Sequence, residues 1–244
     1  VPLFIFIFGA FLGFIDDILE IEGKSNITRN SPWYTKLKLG MVTLCGLVVG
    51  WWFFSKLGMD SIHIPFDGYL YLGFLFIPAV ILVMLGTFSG GVIDGIDGLA
   101  GGVVSAIFAA YSVVAFMGNY LDIAALCGVI AGAVLAFLWF NIPPARFYMG
   151  EVGMMPLTIT LAAVAFLTDT VLILPIIAFP LFVTSLTSSI QLLSKKFFGR
   201  RVFKVAPIHH HFEALGWPSH KVTMRFWVLA VIFSIIGIII SAIS

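Results

Sequence analysis

Four groups of residues in this 244-residue chain have the types and spacing to do chemistry. Asp16 and Asp17 close an apolar run in FLGFIDDILE. Adjacent carboxylates repel, so both ionise readily only beside a cation or in good solvent. Such a pair suits Mg²⁺, which takes one or two carboxylates plus phosphate oxygens. It equally suits a base that removes a proton from a phosphate or hydroxyl, and its plainest alternative is an acidic helix end facing water. Asp94 and Asp97 stand three apart in SGGVIDGIDGLAGG. On a helix that spacing puts both on one face. Gly95 and Gly98 follow them directly and leave backbone N–H groups open to a ligand. The spacing fits neither the EF-hand loop nor a phosphate-binding Gly-Lys-Ser/Thr loop. It reads as a polyanion or metal site, or else as a structural glycine hinge.

The third group is NIPPARFYMGEVG over 141–153. The two prolines end a helix. Arg146 is placed to hold a phosphate, Tyr148 to stack on a base, and Glu151, between two glycines, to ligate a metal. The fourth group is His209-His210-His211-Phe212-Glu213, which follows the basic stretch KKFFGRRVFK. Three consecutive histidines cannot all ligate one ion in regular secondary structure, and no HExxH spacing is present. Donation to phosphate oxygens fits better than zinc. Lys195, Lys196, Arg200, Arg201 and Lys204 either neutralise that phosphate or meet anionic lipid.

The elements that must position these groups are membrane spans. The chain is 61% hydrophobic and 10% charged, against roughly 25% charged in soluble domains. Only helices and closed barrels satisfy the backbone in lipid, and a helical span needs about 20 mostly apolar residues. Eight stretches qualify, at 1–15, 37–57, 69–85, 99–117, 123–140, 154–167, 171–193 and 222–243. The expected fold is an all-α integral membrane protein, one polytopic helical bundle over residues 1–244. Eight spans put 16–36, 86–98, 141–153 and 194–221 on one side. Of the 13 Lys and Arg, all but Lys56 lie in or beside that set, which makes it cytoplasmic by the positive-inside rule. The acids Asp16, Asp17, Glu20, Glu22, Asp94, Asp97, Glu151 and Glu213 fall there too. Cys45 and Cys127 lie inside apolar runs and read as small core residues.

Acids, glycine-rich backbone, His and Arg on one membrane face suit a Mg²⁺-assisted reaction between an anionic lipid and a nucleotide-borne phosphate, a chemistry of positioning and charge neutralisation. On the same residues the chain resembles the polyprenyl-phosphate hexose-1-phosphate transferase superfamily. Within it, the likeness is closest to the phospho-N-acetylmuramoyl-pentapeptide transferase family. GFIDD resembles that family's aspartate pair, TKLKLG its basic residues opening a span, and IDGIDGLAGG its DGLDGLA loop. FLWFNIPPARFYMGEVG resembles its Asn- and Asp-bearing segment, and APIHHHFEALGWPSHKVTMRFW its HHHFE…GWP…RFW ending.

The resemblance implies transfer of phospho-MurNAc-pentapeptide from UDP-MurNAc-pentapeptide to undecaprenyl phosphate, giving lipid I and UMP with Mg²⁺ as cofactor. It implies that Asp16 and Asp17 handle the lipid phosphate, one as base, and that Lys36 and Lys38 bind substrate. Asp94 would serve the reaction centre. Gly95, Ile96, Asp97 and Tyr148 would line the uracil site. Asn141 would hold the nucleotide, Glu151 the Mg²⁺ and His209, His210 and His211 the phosphates. Expected partners are the two substrates, membrane lipid and a second copy in a homodimer, with no nucleic acid. The expected place is the bacterial plasma membrane, with the site on its cytoplasmic face. A related UDP-GlcNAc transferase and an ion-coupled transporter are the alternatives. Two positions depart from the family. Glu151 stands where Asp is usual, and Ser89-Gly90-Gly91 where the family carries Asn. The chain also begins near the third of the family's roughly ten spans.

Overall fold

In the computed structural model, residues 1–19 and 32–244 are described. Glu20, Glu22, Lys24 and Arg29, counted in the charge asymmetry, lie outside them. The elements are α1 (Pro2–Leu19), α2 (Pro32–Lys56), β1 (Ser61–Ile64), β2 (Gly68–Tyr71), α3 (Phe76–Ser89), α4 (Leu99–Met117) and α5 (Leu121–Asn141), then α6 (Gly150–Leu167), α7 (Leu174–Ile177), α8 (Phe179–Phe198), α9 (Ile208–Ala214) and α10 (Ser219–Ile243). Among the described residues, six helices are long and apolar enough to cross a membrane: Thr35–Lys56, Gly73–Ile93, Leu99–Met117, Leu121–Asn141, Gly150–Leu167 and Ser219–Ile243.

The expected spans at 1–15 and 171–193 are not among those six. α1 carries Asp16 and Asp17 in its last turn. The 171–193 stretch is divided at Ala178, where the backbone leaves the helix between Pro175 and Pro180. Proline cannot donate into a helix interior, so this apolar run becomes the short α7 and the separate α8.

The described residues form two compact units, and the chain passes between them three times. The first comprises Val1–Phe88 and Met149–Leu172, the second Ser89–Tyr148 and Ile173–Ser244. In the first unit α1 packs along α6. Gly9 and Gly13 make that approach possible, because a Cβ on either would overlap α6, at Pro156 and Glu151 respectively. The core beside it is Val42, Val49, Phe53, Phe76, Val80, Met84 and Phe166. There the Phe76 ring meets Phe166 edge-on at 5.3 Å. β1 and β2 form an antiparallel hairpin in the register Ser61↔Tyr71.

In the second unit α4 packs on α5 and on α10, and α8 lies against the 3-10 turn Gly90–Ile93. Gly102 sits under the Trp227 indole, leaving no room for a side chain. Two buried threonines, Thr158 in the first unit and Thr184 in the second, satisfy their hydroxyls within their own helices. Thr158 donates to the Met154 carbonyl at 2.8 Å and Thr184 to the Pro180 carbonyl at 2.7 Å, so a polar residue enters the core without an orphaned group.

Candidate functional site

The sequence candidates divide between the two units. In the first, the last turn of α1 presents adjacent carboxylates in different directions, as a helix must. Asp17 turns to the start of α6. Its Oδ1 accepts from the Glu151 backbone N–H at 3.1 Å and its Oδ2 from that of Val152 at 3.0 Å. Those amides have no partner inside their own helix, and a carboxylate there also meets the positive end of the helix dipole. Gly150 has φ 63°, and a Cβ there would stand 2.7 Å from Asp17 Oδ2. The glycine before Glu151 is therefore required by the Asp17 contact.

Asp16 turns to α2. Its Oδ2 lies 2.6 Å from Lys38 Nζ, which also donates to Glu151 Oε1 at 3.0 Å. One ammonium thus bridges the two acids. Asp16 is 6% exposed. Burial pushes its carboxyl above the usual aspartate range, against the pull of the Lys38 hydrogen bond and charge. Asp16, Asp17, Lys38 and Glu151 are brought together in this unit. Lys36 is exposed on α2.

The second unit holds the glycine loop. Asp94 and Asp97 do not share a helix face, correcting the expectation drawn from their spacing. The chain leaves α3, makes the 3-10 turn Gly90–Ile93 and continues through turns to α4. Gly98, with φ 75°, is the N-cap of α4, a conformation glycine adopts without strain. Its N–H donates to Asn141 Oδ1 at 3.0 Å and its carbonyl accepts from Trp227 Nε1 at 3.0 Å. Asp97 is tied on both sides. Its Oδ2 accepts from the Ala145 N–H at 3.1 Å, and its carbonyl accepts from Thr223 Oγ1 at 3.1 Å. Asn141, 2% exposed, also donates from Nδ2 to the Phe147 carbonyl at 2.8 Å. Asn141 and Asp97 therefore brace the loop, whereas Gly95 is exposed on it and Ile96 is buried beneath it. Tyr148 is 70% exposed.

The departure at Gly90 has a local cause. A Cβ there would stand 3.0 Å from Leu181 Cβ on α8, and its neighbour Ser89 hydrogen-bonds Ser185 on the same helix at 2.5 Å. α8 packs too closely on this turn for a larger side chain.

The three histidines share the short helix α9 and point three ways. His211 turns outward, its Nδ1 accepting from the Lys204 N–H at 3.2 Å. His210 Nδ1 lies 2.6 Å from Glu213 Oε2, and Glu213 Oε1 accepts from Ser219 Oγ at 2.6 Å. Burial would raise the Glu213 carboxyl, but the bonds from Ser219 and His210 outweigh it and hold the group below the usual glutamate range. The glutamate fixes the ring through Nδ1 and leaves Nε2 facing Gly95. A Cβ on Gly95 would stand 2.8 Å from His210 Nε2 and 2.9 Å from His209 Nε2. His209 is fully buried, and neither ring nitrogen has a hydrogen-bond partner among the described residues. Burial, then the neighbouring His210, pushes its pKa down to about 4, so it is neutral at pH 7. The result is a notch over Gly95 roofed by two imidazole nitrogens.

Trp217 is held between the Phe212 ring at 4.8 Å and the Arg225 guanidinium at 4.1 Å. Glu213, Thr223 and Trp227 were not expected as site residues. Their signal was present only as the motif HHHFE…GWP…RFW, which is mostly scaffolding around the notch. Among the described residues, no three His, Cys, Asp or Glu side chains gather as a metal cluster. The donors at Asp16 and Glu151 are nonetheless hard oxygens, the type and number Mg²⁺ takes when phosphate supplies the rest.

Helical spans, acids grouped round one lysine and imidazoles over a glycine loop are the equipment of a membrane transferase acting on anionic groups. Comparison with known proteins gives the class: residues 1–169 match glycosyl transferase family 4, and the chain belongs to that family. It is a multi-pass membrane transferase, which decides against the ion-coupled transporter. The chain is 35% identical to a phospho-N-acetylmuramoyl-pentapeptide-transferase of Shouchella clausii, over 94% of this chain and 70% of the relative. It is 35% identical to one of Geobacillus sp. strain WCH70, over 98% and 73%. With one of Rubrobacter xylanophilus it shares 41% over 67% of this chain and 50% of the relative.

Proposed function

We propose that the chain transfers phospho-MurNAc-pentapeptide from UDP-MurNAc-pentapeptide to undecaprenyl phosphate, forming lipid I and releasing UMP for peptidoglycan synthesis. The observation that carries this reading is the notch over Gly95, where backbone and two imidazoles meet with no side chain between them. A diphosphate oxygen approaching the edge of this contact would accept a hydrogen bond from an imidazole N–H. The names of the relatives supply the transferred group, and the UDP carrier and the undecaprenyl phosphate acceptor are what the family resemblance implies.

In this reading Asp16 is the base. Burial has raised its carboxyl, which suits it to take the proton from the lipid phosphate. Asp17 holds the start of α6 and so fixes Glu151. Lys38 keeps Asp16 and Glu151 apart and compensated. The freed lipid phosphate oxygen bonds to the sugar-bearing phosphorus of the donor. The bond from that phosphorus to the UMP oxygen breaks, and UMP leaves with the electron pair. Glu151 would hold Mg²⁺ with phosphate oxygens, and the ion would neutralise charge on the diphosphate. Asp94 serves the donor side, with Asp97 and Asn141 as its braces and Tyr148 against the base. The setting is the cytoplasmic face of the bacterial plasma membrane, with a homodimer as the assembled form.

The test is Mg²⁺-dependent UMP release by the membrane-reconstituted protein, with UDP-MurNAc-pentapeptide and UDP-GlcNAc offered in competition. Preference for the pentapeptide donor, and loss of release in Asp94→Asn, is the expected result. Preference for UDP-GlcNAc, or full activity of Asp94→Asn, would overturn it.

A further inference from the structure

We propose that the turn joining α8 to α9 is a built anchoring surface for anionic phospholipid. It serves to hold the protein in its membrane and is independent of the transfer chemistry. Lys195 and Lys196 occupy the last turn of α8. Gly199, with φ 63°, caps the helix in the left-handed region and sends the chain back, as glycine commonly does at that position. The returning segment is fastened to the helix it has just left. Ser194 Oγ donates to the Arg200 carbonyl at 2.9 Å. Gln191, 5% exposed, accepts through Oε1 from the Val202 and Phe203 N–H groups, each at 3.0 Å, and donates from Nε2 to the Phe203 carbonyl at 3.0 Å.

These bonds give the turn a fixed form, so Arg200, Arg201 and Lys204 are displayed beside Lys195 and Lys196 on one structured segment. All five cations are exposed, and among the described residues none has an acidic partner. A fold that merely tolerated charge here would scatter acids among them.

Two further features select a lipid surface over a soluble anion. Phe197 and Phe198 are 68% and 76% exposed between the basic pairs. α8 itself is inverted relative to a helix in water: Thr184, Thr187 and Gln191 are buried, while Leu186, Ile190 and Leu193 are exposed. An outward apolar face that ends in aromatics flanked by cations suits an acyl chain below and a headgroup region above. Zwitterionic headgroups satisfy the aromatics but leave the five charges uncompensated, so the occupant is an anionic phospholipid.

The test is native mass spectrometry of the delipidated full chain in detergent, titrated with phosphatidylglycerol and phosphatidylcholine. The chain should retain phosphatidylglycerol preferentially, and retention should fall with salt. Binding should weaken about fivefold per charge removed, so by roughly 25-fold in R200Q/R201Q. F197S/F198S should lower retention of both lipids while keeping the preference. Soluble glycerophosphoglycerol should not compete. Each variant is checked for unchanged helical circular dichroism. Equal retention of the two lipids, undiminished phosphatidylglycerol binding in R200Q/R201Q, or competition by the tail-less headgroup at lipid concentrations would each overturn the proposal.

Discussion

The two units solve the problem of placing polar groups near a membrane by opposite means. The first balances charge against charge: Lys38 spans Asp16 and Glu151, and Asp17 sits on a helix terminus. The second avoids charge at its centre. Neutral His209 and the backbone of the glycine loop form the notch, and the ionised Glu213 stands one ring away. The first arrangement is strong but fails if one member goes, because a half-buried ion is left alone. The second depends on shape, so volume rather than charge is its weak point.

Four changes would break or sharpen that contrast. Lys38→Met strands two carboxylates and should cost about 3 kcal/mol in the first unit. Adding Asp16→Asn should recover part of that loss. Chemical denaturation of the two variants measures it, and simple additivity would show that the bridge is not a unit. Next is Gly95→Ala, which adds no charge but puts a methyl into the notch. UMP release should fall about 100-fold with little change in thermal midpoint, and near-normal release would mean the notch is not used.

The third change concerns pH. His209 is about 4 in the folded state against 6.5 in the open chain. The unfolded chain therefore binds the extra proton between those values, and stability falls as pH drops from 6.5 towards 4, by on the order of 3 kcal/mol. Thermal midpoints against pH should show this limb in the wild type and lose it in His209→Leu. The smallest effect is expected from Asp17→Asn. Its amide keeps one acceptor for the two N–H groups, so about 1 kcal/mol of stability should go. A purely catalytic Asp17 would leave the denaturation curve in place and move activity alone.

Much of the architecture was legible because lipid permits few alternatives. The span over Leu99–Met117 has the bounds read from its apolar run. What failed was the division at Ala178, where two prolines five residues apart act within an otherwise uniform run. The acids and histidines were legible by type and by side. Their partners were not. Trp227 reaches Gly98, and Thr223 reaches Asp97, across more than a hundred residues, and neither indole nor hydroxyl announces such a target. The roles of neighbours were also invisible. Asp16 and Asp17 are identical in kind and adjacent, yet one faces an ammonium and the other a helix start, a difference set by the helical turn between them.

The order in which the units are threaded bears on how the protein can be made. α1 is synthesised well before its partner α6, which follows only after α2, α3, α4 and α5. Asp17 therefore waits through 134 residues of translation for its amide partners. Neither unit can close before the ribosome has passed Leu172. A gene split at the 88/89 boundary would separate α1 from α6. Coexpressed halves would then have to find each other in the bilayer to restore the contacts that one continuous chain supplies by length alone.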